Sequence, residues 1–267
     1  MSHVTAADGT RIWYDTLGEG DPLLLLNGQS LDHGMWEGVR AGLAAGHRVV
    51  RVDFRGTGGS DAPLGEPYTL ELFAEDALAV LDALEIPRAH VYGFSMGGKV
   101  AQVFASAAPD RVGALVLGST GPGGADEVER PASATLALRR ANTAAGRDAI
   151  AELFYSPAWA SAHPEAVTGI LPHGPLRAQR LHFGASTGYD GRDLLPGIQA
   201  PTLVVHGEDD ELTPVGNAAL LAGRIPGVRG VFGGRLRNAH QVEALTANLI
   251  AVNRRYKTHA GLRITGL

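Results

Sequence analysis

A doubly wound, mostly parallel α/β sheet is predicted for this chain from three observations. Strand-like and helix-like segments alternate from residue 10 to residue 117. The run Leu23-Leu24-Leu25-Leu26 is apolar on every side, as a central parallel strand covered by helices on both faces must be. Polar loops follow the carboxyl ends of the strands, the edge where open α/β sheets bind ligands.

Taken in order, Thr10 to Thr16 alternates and carries aromatic and β-branched residues, which suits an edge strand with one wet face. A turn at Gly18-Glu19-Gly20-Asp21-Pro22 leads into the leucine run, and Asn27-Gly28-Gln29-Ser30 follows it as a flexible loop. Helix is expected from about Trp36 to Ala45, then a strand from Arg48 to Asp53. Thr69 caps a helix to about Leu84, with Leu70, Phe73, Ala77, Val80, Leu81 and Leu84 along one face. After Pro87 a strand opens at His90 and turns into a helix ending near Pro109, and Val112 to Leu117 is a further buried strand. The alternation then stops. Residues 121–196 hold helical stretches at Ala134 to Arg140, Arg147 to Phe154 and Pro175 to Phe183, and sheet signals resume at Pro201 to His206 and about Val228 to Phe232. We therefore expect a core from 1–120 and 197–267, with 121–196 as a helical cap inserted over the carboxyl edge; that segment is too short to support much core of its own.

The 267 residues, 45% of them hydrophobic, suit one such large domain. A formal net charge of −5 argues against nucleic acid as the main partner. The absence of cysteine excludes disulfides, thiol nucleophiles and thiolate metal sites. Met1 to Asp8 shows no secretory signal, and the leucine run is far shorter than the ~20 residues that span a bilayer. The expectation is a soluble cytoplasmic protein acting on a small molecule, compatible with homo-oligomers and needing no membrane, metal or cofactor.

Chemistry concentrates in three loops. In His90-Val91-Tyr92-Gly93-Phe94-Ser95-Met96-Gly97-Gly98-Lys99 a serine stands at a strand-to-helix bend, and Gly93 and Gly97 remove the side chains that would collide in a very tight turn. Gly207-Glu208-Asp209-Asp210-Glu211-Leu212-Thr213-Pro214 is an acidic loop after another strand, and Asn238-Ala239-His240-Gln241 follows the last one. Other features have quieter explanations. Asp53 to Ser60 lacks the endings of phosphate-binding loops, so its arginine and aspartate are expected to tie their own backbone together. Glu71, Glu75 and Asp76 are expected on a solvated helix face. His206 is expected to pack at a strand end, and His33, His47, His90, His163, His173 and His182 show no metal-ligand spacing.

The elbow Gly93-Phe94-Ser95-Met96-Gly97, with the chain order Ser95, Asp210, His240, resembles the α/β-hydrolase superfamily over nearly the whole chain to about residue 250. In the acid loop the family pattern, a glycine followed three residues later by the acid and seven later by proline, selects Asp210, with Asp209 as the alternative. The resemblance implies a serine hydrolase. His240 would take the serine proton, Asp210 would hold the imidazole tautomer, and the backbone N–H groups of Met96 and Gln29 would form the oxyanion hole. It also suggests a branch. Asn27 stands where many relatives carry histidine and looks more like the 3-oxoadipate enol-lactonase branch and its neighbours, so ester or lactone cleavage through an acyl-Ser95 leads. A carbon–carbon bond hydrolase, a cofactor-free haloperoxidase or perhydrolase, and a weakly catalytic ligand-binding receptor are the alternatives. Lys99 has two readings: its stem packs while its amine reaches water or the cap, or it joins Asn27 in binding substrate, through an acidic group. The basic stretch Arg254 to His259 has no family counterpart.

Overall fold

The computed structural model describes residues 2–63, 65, 67–155, 157–226 and 228–234. The loop with His240 and the basic stretch Arg254 to His259 therefore lie outside the described residues. Among the described residues, eight strands form one sheet in the order β1-β2-β4-β3-β5-β6-β7-β8. They are β1 (Ser2–Thr5), β2 (Arg11–Leu17), β3 (Asp21–Leu26), β4 (His47–Val52), β5 (Ala89–Phe94), β6 (Val112–Gly118), β7 (Thr202–Gly207) and β8 (Val228–Gly234). β1 pairs antiparallel with β2, and β2 with β4; every later pairing is parallel. The expected edge strand over Thr10 to Thr16 is thus second from the edge. Ser2–Thr5, four residues with little apolar content, covers it, and so short a strand gives too weak an alternation to stand out.

The leucine run in β3 sends alternate side chains to opposite faces. Leu24 and Leu26 join Phe73, Val80 and Leu81 of α2 (Leu70–Ala83), Val100 and Phe104 of α3 (Met96–Ala107), and Leu221 of the helix Gly216–Arg224. Leu23 and Leu25 face Trp36 and then Val39 and Leu43 of α1 (Glu37–Ala44). Thr69 caps α2 by accepting the Leu72 N–H at 3.1 Å.

Among the described residues, five α-helices lie between β6 and β7: α4 (Ala132–Arg139), α5 (Ala144–Phe154), α6 (Pro157–Ala162), α7 (Pro164–Gly169) and α8 (Leu176–Thr187). α6 and α7 have six residues each, too few turns to show a helical period in the sequence. Ala134, Ala137, Ile150, Phe154 and Ile170 belong to the same apolar cluster as Phe94 and Val205, so these helices share the core on one face of the sheet. Among the described residues no helix is long and apolar enough to cross a membrane.

Candidate active site

β5 ends at Phe94, and Ser95 turns the chain into α3 with φ 53° and ψ −118°, a backbone conformation that costs a non-glycine residue ~1–3 kcal/mol. The surroundings hold it there. The Ser95 N–H donates to Gly118 O at 2.9 Å, while its carbonyl accepts from Gly98 N at 2.9 Å and from Thr120 Oγ1 at 2.7 Å. A Cβ at Gly97 would run into the Leu26 and Asn27 carbonyls, and one at Gly93 into the Gly97 carbonyl. These glycines let three backbone segments close around the bend and leave the serine side chain standing over the start of α3, whose dipole favours negative charge.

Ser95 is half-buried and lines a small cavity of about 50 Å³ bounded in part by the helices between β6 and β7. Gln29, Arg130 and Ser186 supply the other polar side chains, and Leu31, Phe94, Leu138, Ile150, Phe154 and Leu212 much of the apolar wall. Larger clefts of about 310 Å³ and 570 Å³ open elsewhere without reaching Ser95. The structure thus brings together Ser95 and Gln29, with Met96 opening α3 beside them.

The acid loop separates its carboxylates by exposure. Glu208 and Asp209 are exposed, whereas Asp210 is buried. Asp210 Oδ1 accepts the N–H groups of Leu212 at 2.9 Å and Thr213 at 2.8 Å, which fixes the carboxylate at the end of β7. His206 closes this loop from below. Burial holds its imidazole below the ordinary histidine range, against the pull of Asp210 3.9 Å away, and Nε2–H donates to the Thr213 carbonyl at 2.6 Å.

Two residues read as substrate contacts are engaged by the scaffold. Asn27 is fully buried and spends both polar groups on the scaffold: Nδ2 donates to Val52 O at 2.8 Å, and Oδ1 accepts Trp36 Nε1–H at 2.7 Å. Lys99 Nζ reaches Glu127 at 3.0 Å and the Ser186 carbonyl at 3.2 Å. Burial pushes this ammonium below the ordinary lysine range, and Glu127 pulls it back. Neither side chain lines the Ser95 cavity. Asp76 is corrected: it is 1% exposed and takes a bidentate pair from Arg55 at 2.6 and 2.7 Å, while Glu71 and Glu75 are exposed. Arg55 therefore serves α2 and, at 2.6 Å, Asp8, and does not close its own loop. Asp53 does close that loop, accepting Gly59 N–H at 2.9 Å, and it also binds the His33 ring at 2.9 Å. That hydrogen bond raises the His33 pKa above its ordinary value, against burial.

Sequence reasoning missed Arg130 and the role of His182. Arg130 sits in a loop with no period to mark it. His182 could have been flagged as buried, because Ala178, His182 and Ser186 recur every four residues and all three are buried. From α8 its Nε2–H donates to Arg55 O at 2.8 Å, and its Nδ1 accepts Ser30 N–H at 3.3 Å, one residue after Gln29. Ser30 has φ 58°, and its carbonyl accepts the His173 N–H at 2.7 Å. His182 and His173 thus engage both backbone polar groups of the residue next to Gln29. Among the described residues, no group of three or more histidine or carboxylate side chains is arranged to hold a metal ion.

Comparison with known proteins follows the same lines. Residues 21–234 match the family described as the alpha/beta hydrolase fold. A protein assigned as a carbamate hydrolase in Azorhizobium caulinodans is 32% identical over 227 residues, covering 82% of this chain and 84% of that one. The rhodomycin D methylesterase DnrP of Streptomyces peucetius is 30% identical over 264 residues, covering 84% and 87%. The crystal structure of the enol-lactonase from Burkholderia xenovorans superposes with a TM-score of 0.82 at 27% identity, covering 95% of this chain and 100% of that one.

Proposed function

The chain belongs to the α/β-hydrolase fold family and is a hydrolase, and from that premise we propose that it cleaves a small carboxylic ester or lactone through an acyl-enzyme on Ser95. The observation that carries this reading is the strained Ser95 elbow lining a cavity whose walls are mostly apolar. A serine hydroxyl needs a base, and His240 takes its proton as Oγ attacks the carbonyl carbon, because imidazole as a side-chain type titrates near neutral pH. Asp210 holds the imidazole tautomer and stabilises the imidazolium. The Met96 and Gln29 N–H groups receive the negative charge of the tetrahedral intermediate, where losing one donor costs ~3 kcal/mol. Collapse of that intermediate expels the alcohol, protonated by His240, and leaves the acyl group on Oγ. Water, activated by the same histidine, then releases the acid.

The walls formed by Leu138, Ile150 and Phe154 of the cap, with Phe94 of the core, suit a short apolar acyl or lactone body. The test combines a fluorophosphonate probe with a panel of p-nitrophenyl esters and lactones, using Ser95→Ala as the blank. Labelling and turnover should both vanish in the variant. A folded wild type that refuses the probe overturns the proposal.

A further inference from the structure

Arg130 lies on the loop leading from β6 to α4 and lines the cavity that holds Ser95 and Gln29. The neighbouring charges are committed elsewhere. Lys99 and Glu127 face each other at 3.0 Å, and Asp210 Oδ1 is spent on the backbone of its own loop. Among the described residues the Arg130 guanidinium makes no hydrogen bond or ion pair, and burial disfavours its charge, with Glu127 and Asp210 acting on it only at longer range. A guanidinium does not shed its proton, so the free enzyme carries that cost whenever the site is empty. Five donors in a planar fork are shaped for a carboxylate, and most other residues around the cavity are apolar.

Resting on the assignment of Ser95 as nucleophile, we propose that Arg130 is an anion subsite that selects substrates bearing a carboxylate a few bonds from the scissile carbonyl. Arg130 and Ser95 line one small cavity, so the carboxylate and the carbonyl must be joined by a short span. Binding such a group gives a half-buried guanidinium without a hydrogen-bonding partner a charge-assisted pair and seats the carbonyl at Ser95.

The experiment compares kcat/KM on charged and neutral partners of equal size. p-Nitrophenyl hemisuccinate and hemiglutarate against the butyrate and valerate place the carboxylate on the acid side. The acetate esters of p-hydroxybenzoate and p-cresol place it on the alcohol side. The charged-to-neutral ratio should exceed one in the wild type in at least one series and fall about 10- to 100-fold in Arg130→Met. Arg130→Lys, which keeps the charge without the fork, should fall between. A ratio that Arg130→Met leaves unchanged in both series overturns the subsite. Calorimetry with glutarate on Ser95→Ala gives a readout independent of turnover: glutarate should bind, and binding should disappear in Ser95→Ala/Arg130→Met. Absent binding, or binding that survives the second substitution, also overturns the subsite. An inactive wild type whose glutarate binding depends on Arg130 would instead remove Ser95 as nucleophile and keep the subsite.

Discussion

Acidification from pH 7 to pH 5 is expected to strike at one buried imidazole. His182 is completely buried, and burial holds its pKa at about 4, with the bond to Arg55 O pulling the other way. In the neutral tautomer Nε2 donates and Nδ1 accepts; a proton on Nδ1 would set two donors, His182 and the Ser30 N–H, against each other. The unfolded chain takes up a proton near the ordinary value of 6.5 while the folded protein refuses it until about 4. The stabilisation is therefore complete above about 6.5 and lost as pH falls through the interval to about 4. At ~1.4 kcal/mol per pH unit, the part between pH 7 and 5 amounts to about 2 kcal/mol. Urea unfolding of the wild type and of His182→Gln at both pH values isolates this contribution from that of other histidines. Glutamine keeps a polar side chain but does not titrate, so its loss over the interval should be smaller than the wild type's by about 2 kcal/mol. Equal losses would refute the neutral clamp. If the glutamine variant does not fold, His182→Asn serves the same comparison.

Three further outcomes follow from the same geometry. Asp76→Ala leaves the Arg55 cation buried with only Asp8 beside it and should destabilise the fold by about 3–5 kcal/mol in urea unfolding; a loss below 1 kcal/mol would mean that solvent reaches the pair. Gly97→Ala should cost about 1–3 kcal/mol and most of the ester turnover, since the obstacles are backbone carbonyls that cannot rotate away; wild-type melting and wild-type turnover together would show that the bend has slack. Lys99→Met removes a charged hydrogen bond to Glu127 together with the cost of burying the ammonium, so stability should change by less than about 1.5 kcal/mol in urea unfolding. Its charged-to-neutral substrate ratio should match the wild type's, and a selective loss on anionic esters would return Lys99 to the substrate site.

The parts of this protein legible in its sequence are those written in local chemistry. Leu23 to Leu26 announces a doubly covered strand because hydrophobicity on every side has no other use in a short segment. Gly93, Ser95 and Gly97 announce the bend because a missing Cβ is a local steric fact, whatever the distant partner turns out to be. Asp210 is preferred to Asp209 only through the family resemblance, and the fold separates the two by exposure, Asp210 buried and Asp209 exposed. What sequence could not supply was the identity of partners brought together by the fold. Asp76 looked solvated because a single carboxylate on an amphipathic helix is usually so, and its Arg55 partner lies twenty-one residues away on another element. Asn27 looked available because nothing local consumes it; Val52 and Trp36 do so, while Glu127 and the Ser186 carbonyl hold the Lys99 amine, whose two readings no local pattern separates. Arg130 shows the converse: it carries no motif, and only tertiary structure placed its charge beside Ser95 with its neighbours already paired. Pairing in a folded interior is decided by distances between segments far apart in the chain, and a linear pattern records the residue types without the distances.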